Sequence, residues 1–355
     1  MKGISHKGRG ALSNPANRFE HMSREPCDDG WGSREELPPP ARHLVRDHSR
    51  SVIARNDSPD VPFDRSINPY RGCEHGCIYC FARPSHAWLG HSPGLEFETH
   101  LHYKPDAAER LREALARPGY RCQPIALGTN TDAYQPLERE LSITRRLLEV
   151  LLETRHPVSL ITKSALIERD LDLLRALAAE RLVEVRISLT TLDRGLARRM
   201  EPRAAAPQRR LQTIERLAAA GIPVGVLVAP VIPFLNDSEM EQLLEAARAM
   251  GAAQAGYVML RLPREVAPLF DEWLAAHYPA RRQRVLSHIR ACRGGALNDG
   301  RFGSRMRGEG PVAELIAARF RACCRRLDFP GLPPLDGSRF RPPAAAGGEL
   351  PLFTD

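Results

Sequence analysis

Cys73-Glu74-His75-Gly76-Cys77-Ile78-Tyr79-Cys80 is the stretch on which the reading of this chain turns. Three thiols at CxxxCxxC spacing fall within one tight loop, directly after an extended run from Ser66 to Arg71, so they can present three thiolates to a single inorganic centre. Three is one short of the four protein ligands that close a structural zinc site, and His75 or His86 would have to supply the fourth. A cubane 4Fe-4S cluster held by three cysteines instead keeps one iron with an open position, where a small molecule can chelate. The spacing leaves both centres open.

Outward from the loop, after Ile67, short β-rich runs alternate with helical runs, the pattern of a parallel sheet built from six or seven βα units. The extended runs are Thr99 to Tyr103, Pro124 to Gly128, Val158 to Thr162, Val183 to Thr190, Pro223 to Val228 and Gly256 to Leu262. The helices that follow them span Asp106 to Ala116, Leu137 to Thr154, Leu166 to Ala179, Pro207 to Ala220, Asp237 to Met250 and Val266 to Ala276. Gly221 has the place of a C′ glycine, and Asn236 or Asp237 that of an N-cap. In the fourth run Val185, Ile187 and Leu189 alternate with Glu184, Arg186, Ser188 and Thr190. In a partly closed barrel that pattern puts the apolar face under the helices and the polar face on an interior site.

The chain has 355 residues, 43% of them hydrophobic and 26% charged, which is a globular composition. Its net charge of +8 is almost all arginine, since Lys2, Lys7, Lys104 and Lys163 are the only lysines. Residues Arg281 to Arg326 hold twelve arginines against Asp299, Glu309 and Glu314, so the remainder sums to about neutral and the excess is a segment. That segment has a Gly-rich stretch, Gly294 to Gly310, and a helix from Val312 to Arg326. The implied organisation is an extended or disordered arm over 1–60, an α/β core over 61–278, a basic Gly/Arg-rich helical extension over 279–330 and a flexible Pro/Gly tail over 331–355. The most apolar stretch, Gly221 to Leu235, is interrupted by Pro223, Gly225, Pro230 and Pro233, which excludes a membrane span. With no apolar core in the first 20 residues, the protein is expected in the cytoplasm. There Cys27, Cys122, Cys292, Cys323 and Cys324, scattered along the chain, do not read as a disulfide framework.

The cysteine loop, with an aromatic residue before its last cysteine and a βα repeat after it, resembles the radical S-adenosylmethionine superfamily over roughly Ile67 to Ala276. The resemblance implies a partial (β/α)6 TIM barrel with its site at the C-terminal ends of the strands. It implies a 4Fe-4S cluster on Cys73, Cys77 and Cys80, S-adenosylmethionine as cosubstrate, and a flavodoxin or ferredoxin-type electron donor. In such enzymes the methionyl amine and carboxylate chelate the open iron, and one electron breaks the C5′–S bond to give a 5′-deoxyadenosyl radical that abstracts hydrogen from substrate. The strand end Thr129, Asn130 and Asp132 falls where the superfamily contacts the methionyl amine, and the Lys163 ammonium could pair with the methionyl carboxylate. Ser188 suits the ribose hydroxyls, and Val231 with Ile232 suits adenine. Tyr79, Tyr134, Glu201 and Arg203 are the catalytic candidates on the same side.

Within the superfamily the chain is most similar to the spore photoproduct lyase-like group, through Tyr79, the strand end Thr129 to Asp132, Lys163 and Ser188. Spore photoproduct lyases carry a cysteine hydrogen-atom donor at that strand end and a tyrosine after the third cluster cysteine, whereas Thr129 and Phe81 stand in those places here. A hydroxyl is a far poorer hydrogen-atom donor than a thiol, so the resemblance implies radical chemistry on nucleic acid more than the lyase reaction itself. The arginines from Arg281 to Arg326 have the composition of a phosphate-binding segment. Glu349-Leu350-Pro351-Leu352-Phe353 resembles the peptide by which DNA repair proteins dock on the sliding clamp, with Leu350, Leu352 and Phe353 as its apolar contacts. Two other readings stand beside this one: a radical modifier of a protein or small molecule, and a non-catalytic zinc or iron–sulfur protein that binds nucleic acid.

Overall fold

In the computed structural model, which describes residues 7–20 and 41–343, ten strands form two sheets. They are β1 (His43–Arg46), β2 (Ile53–Arg55), β3 (Arg65–Ile67), β4 (Tyr70–Arg71), β5 (His100–Tyr103), β6 (Ile125–Leu127), β7 (Val158–Thr162), β8 (Val183–Ser188), β9 (Val224–Val231) and β10 (Gln254–Met259). The larger sheet has the order β10-β9-β8-β7-β6-β3-β2. From β3 to β10 every pairing is parallel and the strands stand in chain order, while β2 adds antiparallel at the edge. Six parallel strands in sequence are the partial (β/α)6 barrel that the alternation of runs implies.

The helices follow the same logic. They are α1 (Glu96–Thr99), α2 (Ala107–Leu115), α3 (Glu138–Leu141), α4 (Ile143–Glu153), α5 (Leu171–Ala179), α6 (Arg194–Met200), α7 (Pro207–Ala219), α8 (Met240–Ala249), α9 (Val266–His277), α10 (Arg282–Ala291) and α11 (Gly310–Leu327). Leu147 and Leu151 of α4, Leu174 and Leu177 of α5, Ile214 and Leu217 of α7, and Met240 and Leu243 of α8 recur at i, i+3 or i+4. They share one core with Leu160, Val185, Ile187, Val226 and Val228 of the strands. Each such leucine contributes roughly 1.5–3 kcal/mol by burial. At the foot of β8 the polar face does line the interior, but it is filled: Arg186 donates to Glu184, to Ser159 of β7 at 3.1 Å and to Gln254 of β10 at 3.0 Å. Only the upper residues, Ser188 and Thr190, remain for a site.

Several expectations change. The run Ser66 to Arg71 divides between sheets, because β4 leaves the barrel to pair with β5 in the three-stranded sheet β1-β5-β4. The helix expected over Leu137 to Thr154 breaks at Ser142, which takes φ 50°. The Glu138 carboxylate turns inward there and accepts from the Thr144 amide at 3.0 Å and from the Tyr70 hydroxyl. Asn236 makes no side-chain cap, because its amide serves the end of β9 instead. α6 and α10 were not foreseen in the pattern. The arm is ordered where it is described: β1 and β2 pair into the sheets, and Gly10 and Ala11 donate to Glu98 at 3.0 and 2.9 Å. The tail is ordered through 343, with Phe340 packed on Tyr120 and His156 beside the N-terminal ends of β6 and β7. The clamp-like peptide at Leu350, Leu352 and Phe353 lies outside the described residues.

Candidate active site

The cysteine loop leaves β4 at the C-terminal end of the barrel and is held from several sides. The Cys73 amide donates to the Phe97 carbonyl at 2.9 Å and the Ile78 amide to the Met200 carbonyl at 3.0 Å. Arg83 lies under the loop, wholly buried, and donates to Cys77 O at 2.9 Å, Gly76 O at 3.3 Å, Pro93 O at 3.1 Å, Gly94 O at 2.8 Å and Glu98 Oε1 at 2.6 Å. Gln135, also wholly buried, ties the loop to the strand end of β6, accepting from the Glu74 amide at 2.8 Å and donating to Gly72 O at 3.2 Å.

Cys73 and Cys77 are buried and Cys80 is half-buried, all as free thiols. Burial and the mutual influence of the three thiols push Cys73 well up, and burial raises Cys77 to about 12 against the opposing charge of Lys163. Such thiols become thiolates when a metal takes the place of their protons. Among the described residues no group of three His, Cys, Asp or Glu side chains is disposed around one ion. A cubane takes one thiolate per iron, so its three cysteines need not meet at a point, and the donor set here fits three irons with one left open.

The strand ends surround this loop. Gly128 closes β6 with φ 81°, where a Cβ would lie 2.2 Å from the Ile161 carbonyl oxygen, so only glycine lets β6 and β7 approach there. Asp132 accepts from Thr162 Oγ1 at 2.7 Å, the Tyr134 amide at 2.9 Å and the Lys163 amide at 2.8 Å, and stands 3.4 Å from His75 Nδ1. Burial would raise its pKa, but His75 and these hydrogen bonds hold the carboxyl well below the usual range. With its lone pairs so engaged, Asp132 braces β6 on β7 and is not disposed to receive a ligand amine. Thr129 is half-buried, and Asn130 is exposed with its amide on Asn68 Oδ1 at 3.0 Å. Lys163 Nζ lies 5.9 Å from the centre of the Tyr79 ring, and no carboxylate among the described residues pairs with it. Burial disfavours its charge, yet Cys77 and Glu201 raise it above the ordinary value.

Tyr79 and Glu201 come together. The Tyr79 hydroxyl donates to Glu201, Thr190 Oγ1 donates to Glu201 at 2.7 Å, and Arg210 closes the chain as the buried ion-pair partner. Burial would raise Glu201, but Arg210 and Lys163 hold it below the usual carboxylate range. Arg203 is elsewhere, 3.1 Å from Glu74, so Glu201 and Arg203 do not pair with each other. Ser188 donates to the Ala229 carbonyl at 3.2 Å, joining β8 to β9. Ile232 packs in the cluster that contains Cys77 and Tyr79, fixed by its amide on Asn236 Oδ1 at 2.6 Å. Asn236 also donates to Thr190 O at 2.8 Å and Pro230 O at 3.0 Å.

Two expectations fail on geometry. Tyr134 is wholly buried in the main core, where burial and Asp170 push its phenol well up, so it packs behind the strand end and does not face the site. Val231 packs in that same core, apart from the cluster that joins Ile232 to Cys77 and Tyr79. Arg83, Arg210 and Asn236 were missed, and Gln135, a substrate-loop candidate beside Tyr134 in the sequence, is instead a buried brace of the cysteine loop. Asn236-Asp237 carried a local capping signal, while Arg83 and Arg210 carry none, because no fixed spacing marks an arginine and the acceptors it will brace.

The Radical SAM superfamily model matches residues 67–247, more than half of the chain. An uncharacterized protein of Mycobacterium tuberculosis is 40% identical over 221 residues, covering 62% of this chain and 65% of the relative, so the chain spans less than two thirds of its length. An uncharacterized protein of Methanocaldococcus jannaschii is 28% identical over 173 residues, covering 49% of this chain and 62% of the relative. Among solved structures, a point mutant of spore photoproduct lyase superposes with TM-score 0.59 at 18% identity, covering 81% of this chain and 80% of the other. Spore photoproduct lyase complexed with a dinucleoside spore photoproduct gives TM-score 0.58 at 16% identity, covering 80% and 79%. At those identities the likeness is one of fold. With this cysteine loop at the mouth of six parallel strands, and the family model matched from the end of β3 through α8, the chain belongs to the Radical SAM superfamily.

Proposed function

We propose that this enzyme acts on nucleic acid, as a repair or modifying enzyme. The observation that carries the reading is the set of exposed arginines in the C-terminal extension. Arg281, Arg284, Arg290, Arg307, Arg321 and Arg325 have no carboxylate partner among the described residues, whereas Arg282, Arg301, Arg305, Arg319 and Arg326 are ion-paired. Unpaired guanidiniums on one extension are suited to a polyanion. The fold likeness to an enzyme solved with a dinucleoside photoproduct supports the same substrate class.

When bound, the cluster and S-adenosylmethionine supply a 5′-deoxyadenosyl radical that takes a hydrogen atom from substrate. Cys73, Cys77 and Cys80 would hold three irons of the cluster. Lys163, an ammonium without a carboxylate partner in the site, receives the methionyl carboxylate, and Asn130 is exposed at the strand end that meets the methionyl amine. Asp132 orients the backbone of that strand end. Glu201 and Arg210 fix the Tyr79 hydroxyl beside Cys77, and Ile232 excludes water there. Cys122 packs near Gly337 and Pro157, by the N-terminal end of β7 and so at the opposite end of the barrel from this mouth. Thr129 offers a hydroxyl at the strand end where spore photoproduct lyases carry a thiol, so the chemistry proposed is hydrogen abstraction on nucleic acid and not thymine-dimer reversal by a cysteine donor.

The test pairs two measurements on the anaerobically reconstituted protein. Formation of 5′-deoxyadenosine from S-adenosylmethionine under dithionite is expected, and its loss in Cys77→Ala. Binding of labelled DNA and RNA is expected to fall steeply with salt. Zinc in place of iron would overturn the cofactor assignment, and binding that is absent or indifferent to salt would move the substrate to a protein or small molecule.

A further inference from the structure

Beyond β10 the chain passes through Leu260, Arg261 and Leu262 beside the cysteine loop. The Arg261 guanidinium carbon stands 5.3 Å from the centre of the Phe81 ring, and Phe81 is the residue directly after Cys80. Arg261 Nη1 lies 3.7 Å from Met306 Sδ. Arg261 Nε is buried and has no hydrogen-bond partner, and no carboxylate among the described residues pairs with the side chain. Burial, then the charges of Arg305 and Arg293, make the Arg261 cation less favourable than in water.

The neighbours are already committed. Asp60 accepts from Arg305 Nε and from the Gly303 amide at 2.7 Å. Arg293 donates to four carbonyls, those of Ser304, Arg305, Met259 and Leu260, and holds the Gly-rich segment onto the end of β10. Arg261 is left as a guanidinium among like charges with a donor unused, an arrangement that costs free energy until an anion arrives. The strip continues outward: the Arg305 guanidinium carbon stands 4.6 Å from the centre of the Phe302 ring. Phe81 is 44% and Phe302 57% exposed, although large apolar rings are ordinarily covered. Two open aromatic faces thus flank two guanidiniums on a strip that starts at the cysteine loop. Guanidinium forks fit phosphate oxygens, and bare rings take unstacked bases.

We propose that Arg261, set against Phe81 with the Arg305–Phe302 pair farther along the strip, is the phosphodiester receptor that seats an unpaired segment of nucleic acid against the cysteine loop. This rests on the nucleic-acid reading above and adds to it the residues that hold the strand at the reacting end.

The experiment is a salt titration of the affinity of the reconstituted full chain for a short fluorescein-labelled single-stranded oligodeoxynucleotide, read by anisotropy. Arg261→Gln is expected to weaken binding roughly tenfold and to reduce the salt slope by about one. Phe81→Leu is expected to weaken binding at least about fivefold with the slope unchanged, because stacking releases no counterions. Arg175→Gln, at an exposed position of α5 outside the C-terminal extension, serves as the comparison and is expected to change affinity far less. If the parent binds with a steep salt dependence and Arg261→Gln and Phe81→Leu bind as well as the parent, or Arg175→Gln costs as much, the receptor is overturned and the nucleic-acid reading stands. If the parent fails to bind at any salt, that reading fails and the receptor with it. Should Arg261→Gln melt early, Phe81→Leu, a change at an exposed ring, decides the outcome.

Discussion

Arg83 has no contact with solvent, yet each N–H of its guanidinium is used, four on carbonyls around the cysteine loop and one on Glu98. Its partner Glu98 is equally buried and accepts the amides of Gly10 and Ala11. Removing one member of such a pair leaves a charge in low dielectric with no counterpart. Arg83→Met is therefore expected to cost about 3–5 kcal/mol, read as a fall in the denaturant midpoint, and to lower the iron retained per chain. A midpoint equal to the parent's would show that the pair is dispensable. Of the residues that build the site, the cysteines were legible because three thiols at fixed spacing are a local signal. Arg83 and Arg210 were not, since an arginine becomes a brace only when the fold brings its acceptors together.

At the scale of elements, legibility followed the period. β7 and β8, with the helices over α4, α5, α7 and α8, were readable because apolar residues recur at two or at three and four. The break at Ser142 was not, because no glycine or proline marks it and its cause is the distant pull of Tyr70 and Arg169 on Glu138. α11 ends on another left-handed residue, Asp328 at φ 46°. An acidic side chain there meets the negative end of the helix and carries a Cβ where glycine is favoured. Asp328→Gly is expected to raise stability by about 1 kcal/mol, measured by urea unfolding. An unchanged or lowered midpoint would mean that the Asp328 side chain has a stabilising partner.

Across the whole molecule, two histidines set an acid limit. Burial lowers His86 to about 3 and His156 to about 4, from an ordinary value of 6.5. The folded chain keeps both neutral where the unfolded chain takes up protons, so their contribution is intact above pH 6.5 and is lost as pH falls toward 4. At about 1.4 kcal/mol per unit for each ring, the loss reaches at most about 5 kcal/mol by pH 4.5. Urea unfolding at pH 7 and 4.5 measures it, and His156→Gln, which removes one of the two rings, is expected to flatten the slope. Equal stability at both pH values would contradict the assignment. That His156 seals the foot of the barrel with Tyr120 and Phe340 could not be read from a tail of Pro and Gly, because the apolar contact is supplied by residues far upstream.

The arm that crosses the cysteine loop has a consequence for life in air. A Cβ on Gly10 would lie 1.8 Å from the Gly76 carbonyl oxygen, so the strand of backbone lies flush on the loop between Cys73 and Cys77. Iron–sulfur centres decay as dioxygen reaches them, and here the barrier on that side is the stretch through Gly10 and Ala11, whose amides are held by the Glu98 carboxylate. Survival of a cluster on the open bench would thus depend on Gly10 and Ala11 as much as on the barrel that holds the chemistry.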